Sequence, residues 1–293
     1  MVRLRRARGP KEAPAAPEAP PESGAPPDPP PESRTPAEVP PKSGAPPGPG
    51  GPDGDGTPRA TGTPGSGTPR TPGTPRSPGN GDPFAAARTA MVQGQLRARG
   101  VRDERVLAAM AAVPREAFVP RHLRDLAYAD EALPIEHGQT ISQPLMVALM
   151  TELLDPDPGD RVLDIGTGSG YQAAVLAEMG CRVLGIERVP ELAAAARERL
   201  AALGYGEAVE IRNGDGTAGD PDGAPWSRIL VAAAARKVPD ALAAQLAEGG
   251  RLVIPVGSRW EQELLLVERH EGNLRTSRHG GCVFVPLVGD GGF

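Results

Sequence analysis

The stretch from Val162 to Gly170, VLDIGTGSG, decides how this chain reads. A short apolar strand carries an acid, Asp164, near its end and then turns on three glycines, Gly166, Gly168 and Gly170. The glycines alternate as G-x-G-x-G, whereas the loop that cradles a dinucleotide pyrophosphate at a helix N-terminus has the spacing G-x-G-x-x-G. The spacing points away from NAD and toward a ligand without phosphates. Alone, it fits a tight structural turn as well as a ligand loop.

Around this run, helix and strand patterns alternate. A helix from about Gln143 to Leu154 leads to a strand at Arg161–Ile165, a helix at Gly170–Met179, a strand at Arg182–Ile186 and a helix at Pro190–Leu203. Strands at Ala208–Arg212 and Arg228–Ala232, a helix at Pro239–Leu246 and a strand at Arg251–Pro255 follow. Strands spaced by helices imply right-handed crossovers and parallel pairing, hence a doubly wound sheet. At the end, Glu263–Arg269 and Gly281–Val288 are β-rich runs with too little chain between them for a helical crossover, so an antiparallel pair is expected at the edge. The expected architecture is α/β: a mostly parallel, seven-stranded, Rossmann-like sheet with an antiparallel C-terminal strand pair.

Upstream, Phe84, Ala87, Met91, Val92 and Leu96 recur at helical spacing until Gly100, which predicts an amphipathic helix over 84–99. A second helix, Asp103–Ala112, opens on Asp103 as a cap and ends before Pro114. From Val113 to Gln143 the periodicity fails. VPREAFVP and ALPIEHGQTISQP read as long ordered loops, which in compact domains are often functional.

The first 82 residues are of another kind. Of 36 prolines, 24 precede Phe84, and no Phe, Tyr or Trp occurs among them. Pro and Gly at this density, without collagen's strict period, leave too little apolar surface to offset ordering entropy, so residues 1–82 are expected to be a disordered tail and 83–293 the folded domain. Thr-Pro-Arg recurs at Thr57, Thr68 and Thr74; a solvated tail, a polyproline II spacer or a start set too far upstream all fit. The N-terminus, MVRLRRARG, lacks the apolar segment of a secretory signal.

No run approaches a membrane span, and a net charge of -5 without a basic stripe argues against nucleic acid. Cys181 and Cys282 lack ligand spacing, which makes a reduced cytoplasmic protein the expectation. His122, His137, His270 and His279 share no spacing, so no metal is expected.

In an open α/β sheet, ligands bind beyond the carboxyl ends of the strands. Three strands end on acids: Asp164 with Gly166-Thr167-Gly168, Glu187, and Asp215-Gly216. An acid about 20 residues past the glycine loop is placed to accept both hydroxyls of a ribose, which suits Glu187. Asp164 can meet an ammonium group. A ligand with an amino-acid end, a ribose and a base satisfies all three, and S-adenosyl-L-methionine is such a ligand. Ser142, before Pro144, reads as a helix N-cap and also as a hydroxyl presented where a helix dipole favours an acceptor carboxylate.

From about Phe84 to Val288 the chain resembles the protein-L-isoaspartate (D-aspartate) O-methyltransferase family. The resemblance rests on VPREAFVP, Tyr128-Ala129-Asp130 with ALPI, GQTISQP, VLDIGTGSGYQ, Ile186-Glu187-Arg188, Gly214-Asp215-Gly216, GGRLVIPVG and FVPLV. It implies methyl transfer from S-adenosyl-L-methionine to the free carboxylate of L-isoaspartyl residues in damaged proteins, starting repair through a succinimide. It assigns Ser142 to the active site and sets Gln139, Thr140, Ile141 and Ser142 against the cofactor. Asp164, Glu187 and Asp215 fall at the methionine end, the ribose and the adenine side, with Gly166, Gly168, Arg188 and Gly216 beside them. The family's sheet also ends with an altered strand order. Ala232–Lys237, AAAARK, departs from the family's proline-bearing stretch and puts a loop at the mouth of the site in doubt.

Such a reaction asks little acid–base chemistry of the protein. An isoaspartyl carboxylate is ionised at pH 7 and needs no general base. Alignment is then the main source of rate, with a ceiling of roughly 7–11 kcal/mol for such positioning. Ser142 orients the acceptor in this reading and is not a nucleophile. The expected partners are isoaspartyl proteins and peptides, with the enzyme a monomer. Two rivals stand beside it: methylation of an aspartate in one dedicated peptide recruited by the tail, and a scaffold that binds cofactor without catalysis.

Overall fold

The structure, a computed structural model, describes residues 81–293; the predicted disordered tail, all but its last two residues, lies outside them. Helix α1 (Ala85–Ala90) continues through a wide turn at Met91–Leu96 and a tight one at Arg97–Arg99. Gly100 then ends it in the left-handed region, φ 104°, which costs glycine little. The expected single helix is thus three successive helical forms. Its inward Arg88 donates Nε to the Tyr128 hydroxyl at 2.7 Å and pairs with Asp82 and Glu116 at 3.1 and 3.2 Å.

Helix α2 (Glu104–Ala112) starts as read: the Asp103 carboxylate accepts from the Arg105 N–H at 2.7 Å. After tight turns at Arg115–Phe118 and Arg121–Leu126, β1 (Leu133–Pro134) and β2 (Thr140–Ile141) form a small antiparallel unit, and α3 (Pro144–Leu154) follows. The alternation begins with β3 (Arg161–Ile165), α4 (Tyr171–Glu178), β4 (Arg182–Glu187), α5 (Pro190–Ala202) and β5 (Val209–Asn213). It closes with β6 (Trp226–Val231), α6 (Asp240–Gln245), β7 (Leu246–Gly257), β8 (Gln262–His270) and β9 (Asn273–Cys282).

These last seven strands form one sheet in the order β5-β4-β3-β6-β7-β8-β9, parallel as far as β7 and antiparallel beyond it. Side-chain alternation sorts the core into two layers. Val162, Val183, Val209 and Leu230 pack with the apolar faces of α2 to α5, while Leu163, Ile165, Leu184, Ile229 and Leu252 pack with Leu242 of α6. The chain leaves β3 toward β4 on one side and returns to β6 on the other. That reversal opens a crevice at the carboxyl ends of β3 and β6, where doubly wound sheets bind ligands.

The C-terminal pair departs from the sequence expectation. The second strand is Asn273–Cys282, not Gly281–Val288, and the segment taken as a connector is mostly strand. Glu271 and Gly272, both with positive φ (53° and 76°), close a two-residue hairpin with His270 opposite Asn273. Strand β9 is exposed along almost its whole length and carries no apolar alternation to betray it. The apolar residues that suggested a strand are used elsewhere: Ala234 N–H donates to the Val285 carbonyl at 2.8 Å, and Leu287 N–H donates to the Ala234 carbonyl at 2.7 Å. AAAARK is thereby knit into the fold, with Ala233, Ala234 and Ala235 buried.

Candidate active site

The glycine loop leaves β3 as its pattern requires. Gly166, Gly168 and Gly170 all have positive φ, 77°, 54° and 90°, a region open to glycine and strained for other residues. Beneath the loop, Gly185 of β4 leaves room for Thr167: a Cβ there would stand 2.4 Å from Thr167 Oγ1. The Thr167 hydroxyl donates back to the Asp164 carbonyl at 3.1 Å.

Asp164 is fully buried on the helix-rich side of β3, and neither carboxylate oxygen has a hydrogen-bond partner. Burial, aided by the nearby Glu187 charge and opposed by the Thr167 hydroxyl, pushes its pKa up to about 7. A buried carboxylate without a partner is costly, and it fits a ligand that brings a cation. Glu187, at the end of β4, is buried and held from both sides: Gly168 N–H donates to Oε2 and Val189 N–H to Oε1, each at 2.9 Å. Each oxygen keeps a lone pair for a diol.

Asp215 follows β5 and accepts from the Thr217 N–H at 2.9 Å, the Thr217 hydroxyl at 2.8 Å and the Asp290 N–H at 3.2 Å. Burial works against its charge, but these donors and the charge of Arg188 hold its carboxyl below the usual range. Gly216 is buried against Ile165, where a Cβ would come within 2.5 Å. Arg188 itself is exposed. The C-terminal segment therefore borders the Asp215 side of the site, a neighbour that the sequence reading did not foresee.

The loop before α3 closes the other side. Leu133 pairs with Ile141 and Pro134 with Thr140, and Ile135 N–H donates to the Gln139 carbonyl at 2.9 Å. Ile135 also packs over the glycine loop, 3.8 Å from where a Gly168 Cβ would lie. This brings Gln139 through Ser142 up to the strand ends, with Ile141 buried, Gln139 and Ser142 partly so, and Thr140 exposed.

Ser142 is not the helix cap that the sequence suggested. Gln143 occupies the cap position without a side-chain bond to the helix, and Pro144 is the first helical residue. The Gln143 side chain turns instead to Asp130, donating to its carboxylate at 2.7 Å. No other side chain among the described residues bonds the Ser142 hydroxyl. What fixes Ser142 is Arg115, which the sequence reading passed over: its Nη2 donates to the Ser142 carbonyl at 2.8 Å.

A groove of about 820 Å³ runs along the outer strand β5, from Arg161 and Arg182 at the amino ends of β3 and β4 to Arg212 and Asp220. Arg212 is paired there with Glu210 and Asp220, and Arg161 stacks on Trp226 at 4.4 Å. These contacts tie together the outer edge of the sheet along β5. Among the described residues no group of His, Cys, Asp and Glu could hold a metal, and no helix is long and apolar enough to cross a membrane.

A Rossmann-like sheet with a glycine turn after its first strand, an orphaned carboxylate beneath it and a doubly held acid on the next strand defines an S-adenosyl-L-methionine-dependent methyltransferase. The profile of the family "Protein-L-isoaspartate(D-aspartate) O-methyltransferase (PCMT)" matches residues 87–292, and the chain belongs to that family. A protein-L-isoaspartate O-methyltransferase of Methanopyrus kandleri is 55% identical over 215 residues, covering 72% of this chain and 95% of that protein. One from Methylorubrum extorquens is 58% identical over 205 residues, covering 70% and 89%. Among solved structures, a Plasmodium falciparum protein described as a protein-L-isoaspartate O-methyltransferase, in complex with S-adenosyl-L-homocysteine, is 27% identical. Its TM-score is 0.60, over 69% of this chain and 98% of the other.

Proposed function

We propose that this chain methylates the free carboxylate of L-isoaspartyl residues in damaged proteins and peptides, the first step of their repair through a succinimide. The observation that carries this reading is the approach of the Gln139–Ser142 loop to the glycine turn, through the Ile135 contact on Gly168. When bound, S-adenosyl-L-methionine supplies a sulfonium methyl group to an acceptor nucleophile.

The chain's own residues hold and orient the two reactants. Asp164 faces the ammonium end of the cofactor and Glu187 the ribose hydroxyls. Asp215 and Gly216, with Arg188 at the rim, flank the base; Gly166 and Gly168 let the backbone approach closely. Gln139, Thr140 and Ile141 form the wall between cofactor and acceptor. Ser142 donates its hydroxyl to the acceptor carboxylate and holds it in line. No residue has to remove a proton, because that carboxylate is already ionised at neutral pH.

The reading includes a cytoplasmic monomer, in keeping with two cysteines that are both unbridged. Size-exclusion chromatography with light scattering checks the oligomeric state. The deciding experiment is transfer of labelled methyl to two peptides that differ only in an isoaspartyl or aspartyl linkage. Ester on the isoaspartyl peptide alone is the expected result; equal labelling, or labelling of the aspartyl peptide only, would overturn the reading.

A further inference from the structure

Arg115 is wholly buried, yet it has no carboxylate partner among the described residues. Its guanidinium lies between the two halves of the site. Nε donates to the Ala127 carbonyl at 2.7 Å and Nη2 to the Ser142 carbonyl at 2.8 Å. The guanidinium carbon stands 4.8 Å from the centre of the Tyr171 ring, and Tyr171 is the first helical residue after the glycine loop. Nη1 is buried with no acceptor.

A buried charge that meets only neutral partners, two carbonyls and the Tyr171 phenol, is expensive, and burial draws its pKa below the usual arginine value. Arginine nevertheless remains a cation at any physiological pH. Packing alone would be better served by an apolar side chain of the same size. An unneutralised cation that grips the main chain of the acceptor-side serine makes sense where an anion is to arrive.

We propose that Arg115 is a positioning residue for the acceptor carboxylate: it fixes Ser142 through its carbonyl and supplies the positive charge that the carboxylate of the substrate answers. This rests on the reading of Ser142 given above. The charge acts through Ser142 and its loop and does not touch the reacting atoms. It favours an ionised acceptor over a neutral one, which adds selection by charge to the in-line alignment that Ser142 provides.

The test compares Arg115→Met and Arg115→Lys with the wild type, using an isoaspartyl peptide for kinetics and S-adenosyl-L-homocysteine for calorimetry. Arg115→Met is expected to raise the peptide KM about tenfold or more while the S-adenosyl-L-homocysteine Kd stays within about threefold; Arg115→Lys, which keeps the charge, should recover most of the KM but not kcat. Equal KM losses in both variants, or a Kd that rises in step with KM, would show a merely structural role and overturn the proposal. Should Arg115→Met not fold, hydrogen exchange of residues 139–143 in Arg115→Lys decides: faster exchange with lower kcat supports the proposal, and unchanged exchange and kcat overturn it. Failure of the wild type to methylate the isoaspartyl peptide would remove the functional reading and this one together. Turnover by the wild type with an unaltered KM in Arg115→Met removes this one alone.

Discussion

Gly168 donates its backbone N–H to Glu187 Oε2 at 2.9 Å, so the glycine turn after β3 is tied to the last residue of β4. Val189 completes the hold at the other oxygen. The loop proposed to meet the cofactor is therefore set in place by the acid proposed to hold its ribose.

Replacing Glu187 tests both roles at once. Glu187→Ala is expected to raise the Kd for S-adenosyl-L-homocysteine more than tenfold and to cost about 1.5–3 kcal/mol of stability, the range for hydrogen bonds to a charged group. Glu187→Gln keeps one acceptor oxygen and should fall between. Calorimetry and thermal unfolding read the two effects; an unchanged Kd in the alanine variant would remove Glu187 from the cofactor site.

Asp164 should make the free protein less stable as pH rises. An acid whose folded pKa stands near 7, above an unfolded value near 4, binds its proton more tightly when folded. The folded state then loses stability as pH rises through the window from about 4 to 7, by up to ~4 kcal/mol over the 3.2-unit difference between 3.8 and 7. Asp164→Asn removes this penalty, so it should raise the melting temperature at pH 8 more than at pH 5 while weakening S-adenosyl-L-homocysteine binding. Tighter binding by the asparagine variant would contradict the pairing of Asp164 with the cofactor's ammonium group.

Ser142→Ala is expected to lower kcat/KM on an isoaspartyl peptide about tenfold or more, equivalent to about 1.4 kcal/mol of transition-state stabilisation, with cofactor affinity intact. Full turnover in this variant would mean that the hydroxyl does not orient the acceptor.

Gly185→Ala introduces a Cβ 2.4 Å from Thr167 Oγ1 and 2.6 Å from Ile211 Cδ1. Overpacking of this sort typically costs about 1–3 kcal/mol. Because Thr167 must move, the glycine loop moves with it, and both melting temperature and cofactor affinity should fall. A fall in stability alone would show that the loop tolerates the displacement.

A chain beginning at Gly81 keeps the Asp82–Arg88 ion pair and lacks the Pro-rich segment. It is expected to match the full chain in kcat/KM on isoaspartyl peptides. A large loss would favour a partner recruited through the tail.

The centre of the sheet was legible because β3 and β4 are buried on both faces and flanked by breakers. Arg161–Ile165 is matched residue for residue, and Asp103 caps as its position before an apolar repeat predicted. What escaped lacks such a signal. Strand β9 is polar and exposed, so only Glu271-Gly272, an ordinary-looking connector, marked the hairpin. Ser142 was misread as a cap since cap preference is a local rule, whereas the turn at Gln143 is held by Asp130 from another segment. Arg115 sits beside Glu116 in sequence and resembles half of a surface ion pair. Its burial depends on Ala127, Ser142 and Tyr171, which no local window contains.

The exposed strand that ends the sheet has its own consequence. A bare edge invites another chain to add a strand, and partly unfolded polypeptides are the most willing to do so. Strand β9 presents Arg275, Arg278 and His279 among small polar residues and offers no apolar ladder. A protein proposed to handle damaged chains can thus meet them at its crevice without templating their aggregation along its flank.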